Sequence, residues 1–374
     1  YKRQSQETYT ISKFMSGTLD IPDADLDFIS LSGAWLRERH LIKRPLRMGS
    51  QLIESTRGAS SHQHNPFVML ADKDANEFAG TVYAASLVYS GSFLAQTEVD
   101  EWNVSRTLIG INPMNFAWQL EPNTEFKTPE CIFAVTKEGF NGISRTFHNL
   151  INNNVVAKRW KNSKRPIVVN SWEASYFKFN EDSLLKLADL TKKIGADTLV
   201  VDDGWFGERD STQKSLGDWF EDKRKFPHGM EWFAEQIHNK GLKLGLWFEP
   251  EMVDPDSDLF RAHPEWAIGR SDLRRSFGRG QLVLDMANPE VVDYLISSID
   301  KMIERAKLDY IKWDMNRNIT EAFSNYLDSE HQGELLHRYM MGVYRLMSHI
   351  CENHPNIIIE NCAGGGGRFD LGML

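Results

Sequence analysis

From Arg165 onward the chain alternates short apolar runs with amphipathic stretches, and each apolar run breaks into polar or aromatic residues at its C-terminal end. The runs are IVVNSWE (167–173), TLVVDDGW (198–205), LKLGLWFEPE (242–251), LVLDMA (282–287), YIKWDM (310–315) and IIIENC (357–362). Continuous apolar character suits parallel strands covered on both faces. Between them lie helical patterns such as EDSLLKLADLTKKIG (181–195), acidic at its start and basic at its end. Another is NPEVVDYLISSIDKMIERAKL (288–308), with Asn288 as N-cap and Pro289 at the first helical position. About six βα units predict a parallel α/β fold. The polar ends are spread over all the runs: Asn170 to Glu173, Asp202 and Asp203, Trp247 and Glu249, Asp285, Lys312 to Asp314, Asn361 and Cys362. A (β/α)8 barrel assembles its site on that face from many strands, whereas a doubly wound sheet gathers ligands at one switch point. The barrel is the expectation.

Upstream the rhythm differs. Short β-type segments, among them TYTISKF (8–14), FISLSGAWLRERHL (28–41), TVYAASLVYSGSFLAQTEV (81–99) and CIFAVT (131–136), are separated by turn residues, as in an antiparallel sandwich. A polar helical stretch (142–156) and the charged junction KRWKNSKRP (158–166) follow. We therefore read 1–157 as part of a β-sandwich domain and 158–374 as an incomplete (β/α)8 barrel.

A net charge of -9 and a pI near 5.7 leave no basic patch for nucleic acid or an anionic membrane surface. No apolar run reaches the ~18 residues of a membrane helix. Three scattered cysteines, Cys131, Cys351 and Cys362, form neither a disulfide framework nor a zinc site, which fits a reducing compartment, the cytoplasm. The opening YKRQSQETYT has no initiating Met and no signal-peptide layout, so the expected natural N-terminus lies upstream.

In YIKWDMNR, Lys312 and Asp314 flank Trp313 and leave the strand on one face. An ion pair between them would oppose the rise in pKa that burial causes, which suits a carboxylate nucleophile; a structural pair or a Schiff-base lysine at Lys312 are the rival readings. The adjacent carboxylates Asp202 and Asp203 can accept from neighbouring sugar hydroxyls, and a metal site there lacks a third hard ligand. Trp247 offers a ring for a sugar face, and Glu249 or Glu251 can bind Lys312 or Arg279 or serve as a second acid. The run CAGGGGRFD (362–370) makes a loop whose backbone can approach a ligand, without the pattern of a phosphate loop.

Taken together, NSWEA (170–174), VVDDGWFG (200–207), LGDW (216–219), LWFEPEM (246–252), KWDMNR (312–317) and CAGGGGRFD, with SGAWLRERH (32–40) and GASSHQHNPF (58–67) upstream, resemble α-galactosidases of glycoside hydrolase family 36. The resemblance implies a retaining α-galactosidase acting on α-galactoside oligosaccharides of the melibiose and raffinose type, without metal or cofactor. It implies Asp314 as nucleophile, Asp202 and Asp203 on the galactose 4- and 6-hydroxyls, and Lys312 and Arg279 near the anomeric side. Trp172 and Trp247 would form walls, Asn316 a further substrate contact, and Cys362 with Gly364 the neighbourhood of the 2-hydroxyl. Trp35 would enter the cleft from a sandwich domain, its own or a neighbouring subunit's, in a homo-oligomer that the family suggests is a tetramer. One departure matters: the family's acid/base aspartate lies in a TSDD-like segment, expected beyond Leu374, and Asp370 does not match that position. Rival readings are a raffinose-synthase-like transglycosylase, a non-catalytic galactoside-binding fragment and a Schiff-base lyase.

Overall fold

Two runs that read as single β segments are hairpins. In the computed structural model, which describes residues 6–374, strand Leu26–Ala34 turns at Trp35 and Leu36 into Arg37–Pro45, with Leu36 in the left-handed region at φ 63°. Likewise 81–99 divides into Val82–Val88 and Phe93–Val99.

The chain forms two compact units. The first comprises Tyr1–Lys164, Ser329–His337 and Gly365–Leu374. It holds a five-stranded antiparallel sheet in the order Glu130–Thr136, Val82–Val88, His64–Asp72, Leu26–Ala34, Arg37–Pro45. A four-stranded antiparallel sheet runs Met15–Ile21, Ser105–Ile111, Phe93–Val99, Gly49–Glu54. Ile29, Met69, Ala71, Val82 and Ala84 pack with Ile143 and Phe147 of helix Gly139–Leu150. Their neighbours of opposite parity, Phe28, Val68, Leu70 and Leu87, are buried too, so the middle strands show no clean alternation. The last ten residues join this unit: Asp370 accepts from Ser90 Oγ (2.6 Å) and from Ser60, and caps the short 3-10 turn Leu371–Met373 through Gly372 N (2.9 Å).

The second unit, Arg165–Asp328 with Arg338–Gly364, is built on a parallel sheet of five strands. They are Val168–Asn170, Thr198–Val201, Lys243–Phe248, Tyr310–Trp313 and Ile358–Asn361, adjacent in chain order. That order, with helices Glu181–Lys193, Met230–Asn239 and Pro289–Ala306 between strands, is the winding of a (β/α) barrel rather than of a doubly wound sheet. Leu199, Val200, Leu244, Leu246 and Ile311 are buried between helices and barrel interior. Two helix starts follow local chemistry: Asn180 and Ser183 form a capping box, and Asn288 caps the helix that Pro289 opens.

The count of six strands is corrected to five. Leu282–Val283 pairs antiparallel with Met252–Val253, outside the parallel sheet. The run is apolar because it covers the loop after strand Lys243–Phe248, and an apolar run alone does not distinguish that from a buried strand. Asp285, expected at a strand end, instead accepts from Ala287 N (3.0 Å) and from Ser324 Oγ, which belongs to the segment after strand Tyr310–Trp313.

Candidate active site

The strands end earlier than their apolar runs. Thr198–Val201 stops before Asp202, Lys243–Phe248 before Glu249 and Tyr310–Trp313 before Asp314, so the carboxylates stand in the loops just past the strand tips. The sheet aligns those tips. Trp247 is opposite Lys312 in the register of the third and fourth strands, and Lys312 is opposite Glu360 of the fifth.

Asp314 is buried, and both its oxygens are held by uncharged donors. Oδ1 accepts from Met315 N (2.9 Å) and Gly364 N (3.1 Å), and Oδ2 from Asn316 Nδ2 (2.6 Å) and Trp247 Nε1 (3.2 Å). Burial pushes its pKa up, but the Asn316 amide, the Cys362 thiol and the Lys312 charge outweigh it and hold the carboxyl below its ordinary range. The chain can reach it from the glycine run because Gly364 takes a φ of 55°, which glycine adopts freely.

Lys312 does not pair with Asp314. Its Nζ lies 2.7 Å from Asp202 Oδ2, which also accepts from Asn170 Nδ2 at 2.6 Å. Burial disfavours the ammonium, yet Asp202 beside it keeps the Lys312 pKa raised. Asp203 is engaged by a residue that sequence reasoning passed over, Arg209: Nε meets Oδ1 at 2.7 Å and Nη2 meets Oδ2 at 3.0 Å. The same guanidinium reaches Asp254 Oδ2 at 2.6 Å, and it is wholly buried. No spacing rule marks Arg209. The only local hint is a cation, preceded by Glu208, at the end of an aromatic and glycine-rich stretch, GWFGER.

The two glutamates of LWFEPEM bond to partners other than the expected Lys312 and Arg279. Glu251 accepts from Trp313 Nε1 (2.9 Å) and Tyr339 OH (2.7 Å), and Glu249 from Gln281 Nε2 (2.9 Å) and Asn316 N. Glu249 is 0% exposed; burial, reinforced by the Asp314 charge, pushes it up to about 8. Trp247, expected as a sugar wall, is 2% exposed and lies parallel to Phe206, so its indole N–H on Asp314 is its principal polar contribution. Trp172 is half-buried, edge-on to Tyr176 and Phe177. Arg279 is exposed at the tight turn between Gly278 and Gln281, with a left-handed φ of 56°, and its charge is felt at Asp203. Cys362 N donates to Trp313 O (2.7 Å), which fixes the thiol beside Asp314. In the sandwich unit, Trp35 stands at its hairpin tip, 65% exposed.

The arrangement can therefore present one ionised carboxylate, Asp314, together with two buried carboxylates, Asp202 and Asp203, each oriented by a cation, and a carboxylate oxygen that already accepts one bond has capacity for a second donor. Asp370 belongs to the sandwich unit's own hydrogen-bond network, and Glu249 has no accessible surface from which to protonate a leaving group.

Known proteins share this build. The melibiase family model matches residues 125–374, and the model of the glycosyl hydrolase family 36 N-terminal domain matches residues 1–121. α-Galactosidase AgaA of Geobacillus stearothermophilus is 47% identical over 374 residues, all of this chain and 51% of AgaA. The crystal structure of the α-galactosidase from Lactobacillus brevis superposes with a TM-score of 0.98 at 50% identity, covering 100% of this chain and 50% of the other. A doubly substituted AgaA solved in complex with raffinose gives a TM-score of 0.98 at 47% identity, covering 100% of this chain and 52% of that one. The chain thus spans about half the length of the curated relatives it matches. Among the described residues, no helix is long and apolar enough to cross a membrane.

Proposed function

We propose, since this chain belongs to the melibiases of glycosyl hydrolase family 36, that the protein carrying it is a retaining α-galactosidase of raffinose-type oligosaccharides. The observation that carries the reading is Asp314, a buried carboxylate kept ionised by neutral donors and by a lysine that is itself neutralised elsewhere. Such a group is nucleophilic without being locked in an ion pair. It attacks C1 to form a covalent galactosyl intermediate while a second carboxylic acid protonates the leaving oxygen and then activates water. That acid/base group is the aspartate of the TSDD-like segment that the family resemblance implies. Asp202 and Asp203, each oriented by a cation, accept from the 4- and 6-hydroxyls. Arg279 and Lys312 serve the anomeric side, Trp172 is a wall, Asn316 and Trp247 orient the nucleophile, and Cys362 with Gly364 crowds the 2-position. The AgaA variant's complex with raffinose supports the substrate class. We further propose a cytoplasmic homotetramer in which the exposed Trp35 completes a cleft.

The test is Asp314→Ala in the full-length protein. Hydrolysis of an aryl α-galactoside is expected to collapse, and azide to restore turnover as the inverted β-galactosyl azide. Wild-type-like hydrolysis by the variant would refute the assignment.

A further inference from the structure

Among the buried carboxyls around Asp314, Asp202 is paired with Lys312, and Asp203 and Asp254 share Arg209. Among the described residues, Glu249 makes no ion pair. Its two oxygens are met by an amide on one side, Gln281 Nε2 at 2.9 Å, and by the backbone N–H of Asn316 on the other. Asn316 is also the residue whose side chain grips Asp314 Oδ2 at 2.6 Å. A continuous relay thus runs from Gln281 through Glu249 and Asn316 to the nucleophile.

We infer that Glu249 is the positioning residue of this site, an uncharged carboxylic acid that anchors the Asn316 backbone so that the Asn316 amide holds Asp314 in its attacking orientation. The inference rests on the proposed role of Asp314. An ionised Glu249 would place a second negative charge beside the nucleophile in a fully buried location, with no cation in contact among the described residues, where like charges separate their ionisations. The charged groups facing it are Asp314 and Asp203, which oppose its ionisation, and Arg209, which favours it without touching it; burial adds the largest push, to about 8. An uncharged acid keeps the anchor on Asn316 N at Oε1, gives its Oε2–H to Gln281 Oε1, which is buried and meets no donor, once that amide turns, and spares Asp314 the repulsion. Glu249 touches no substrate, so its effect passes through Asn316.

The experiment uses the full-length protein and two variants. Glu249→Gln preserves shape and neutrality, and the buried Gln281 Oε1, which meets no donor, can turn to accept from the new amide. Its kcat on an aryl α-galactoside should stay close to wild type, with the acid limb of kcat/KM unmoved. Glu249→Ala releases the Asn316 backbone and should lower kcat by about 10²-fold with KM little changed, the cost of a small misplacement. Infrared difference spectra of wild type minus Glu249→Gln at neutral pH should contain a protonated-carboxyl band. A carboxylate band instead, or an acid limb lowered by roughly one unit in Glu249→Gln, would show that Glu249 is ionised and overturn the inference. Wild-type kcat in Glu249→Ala would overturn the positioning role; should that variant not fold, the Gln variant's pH profile and spectrum decide. If the unmutated protein hydrolyses no α-galactoside, the proposed function fails, and the infrared arm still decides the state of Glu249.

Discussion

Lys312 and Asp314, two residues apart at the tip of one parallel strand, bond to different partners: the lysine to Asp202 at 2.7 Å, the aspartate to Asn316, Trp247 and two backbone amides. The lysine therefore acts on Asp314 only through space, while serving as the counter-ion that makes a buried Asp202 tolerable. This division of labour lets one residue neutralise and orient Asp202 without masking Asp314, the proposed nucleophile.

Lys312→Met should remove both effects. Asp202 would be left as an uncompensated buried charge, for which a loss of about 3–5 kcal/mol is typical, measurable by denaturant unfolding. Asp314, now lowered partly by Lys312, should titrate higher, so the acid limb of kcat/KM should move toward neutral pH.

Arg209→Met strands two carboxylates, Asp203 and Asp254. Unfolding free energy should fall by at least as much as for Lys312→Met, about 3–5 kcal/mol or more. Arg209→Lys keeps the charge but not the two-pronged grip, and should weaken discrimination of galactose from glucose rather than abolish folding; the ratio of kcat/KM on the two aryl glycosides reports it.

Glu249 gives stability a pH dependence whose sign follows from its raised pKa. The folded state holds the proton up to about pH 8, whereas an ordinary glutamate releases it near 4.5. Its contribution is fully present below the unfolded value and is lost as pH rises through the folded one. Wild-type stability should therefore fall, relative to Glu249→Gln, between about pH 4.5 and pH 8, as urea titrations at several pH values would record.

Cys362 and Gly364 both bond Asp314, and the loop is correspondingly close to the reacting centre. If Cys362 and Gly364 crowd the 2-position as proposed, an aryl α-galactoside should be hydrolysed far faster than its N-acetylgalactosamine counterpart, whose acetamido group at C2 would meet this loop. Comparable rates on the two would contradict this placement.

Gly342, in helix Leu335–Asn353, lies against the Met286 backbone; a Cβ built there falls 1.9 Å from Met286 O. Gly342→Ala has to push the helix off that loop and should cost about 1–3 kcal/mol, despite alanine's better helix propensity. A thermal melt of the two proteins checks it.

The sequence by itself determined the winding. Apolar runs such as TLVV and YIKW require cover on both faces, and the amphipathic stretches between them supply it, so adjacent parallel strands with helical crossovers were readable from pattern alone. It also located Asp202, Asp203, Asp314 and the glycine run at strand tips, because a buried strand stops being apolar where it reaches the mouth. The tertiary structure decided what pattern cannot encode. LVLDMA is as apolar as a barrel strand but covers a loop, since burial leaves the same composition whatever the neighbour. Whether Lys312 bonds Asp314 or Asp202, that Arg209 clamps Asp203, and that Glu249 holds Asn316 depend on side chains brought together from 6 to 110 positions apart, set by strand register and loop path. Hydrogen bonds reach about 3 Å and are directional, so the partners of a buried charge are fixed only once the backbone is folded around it.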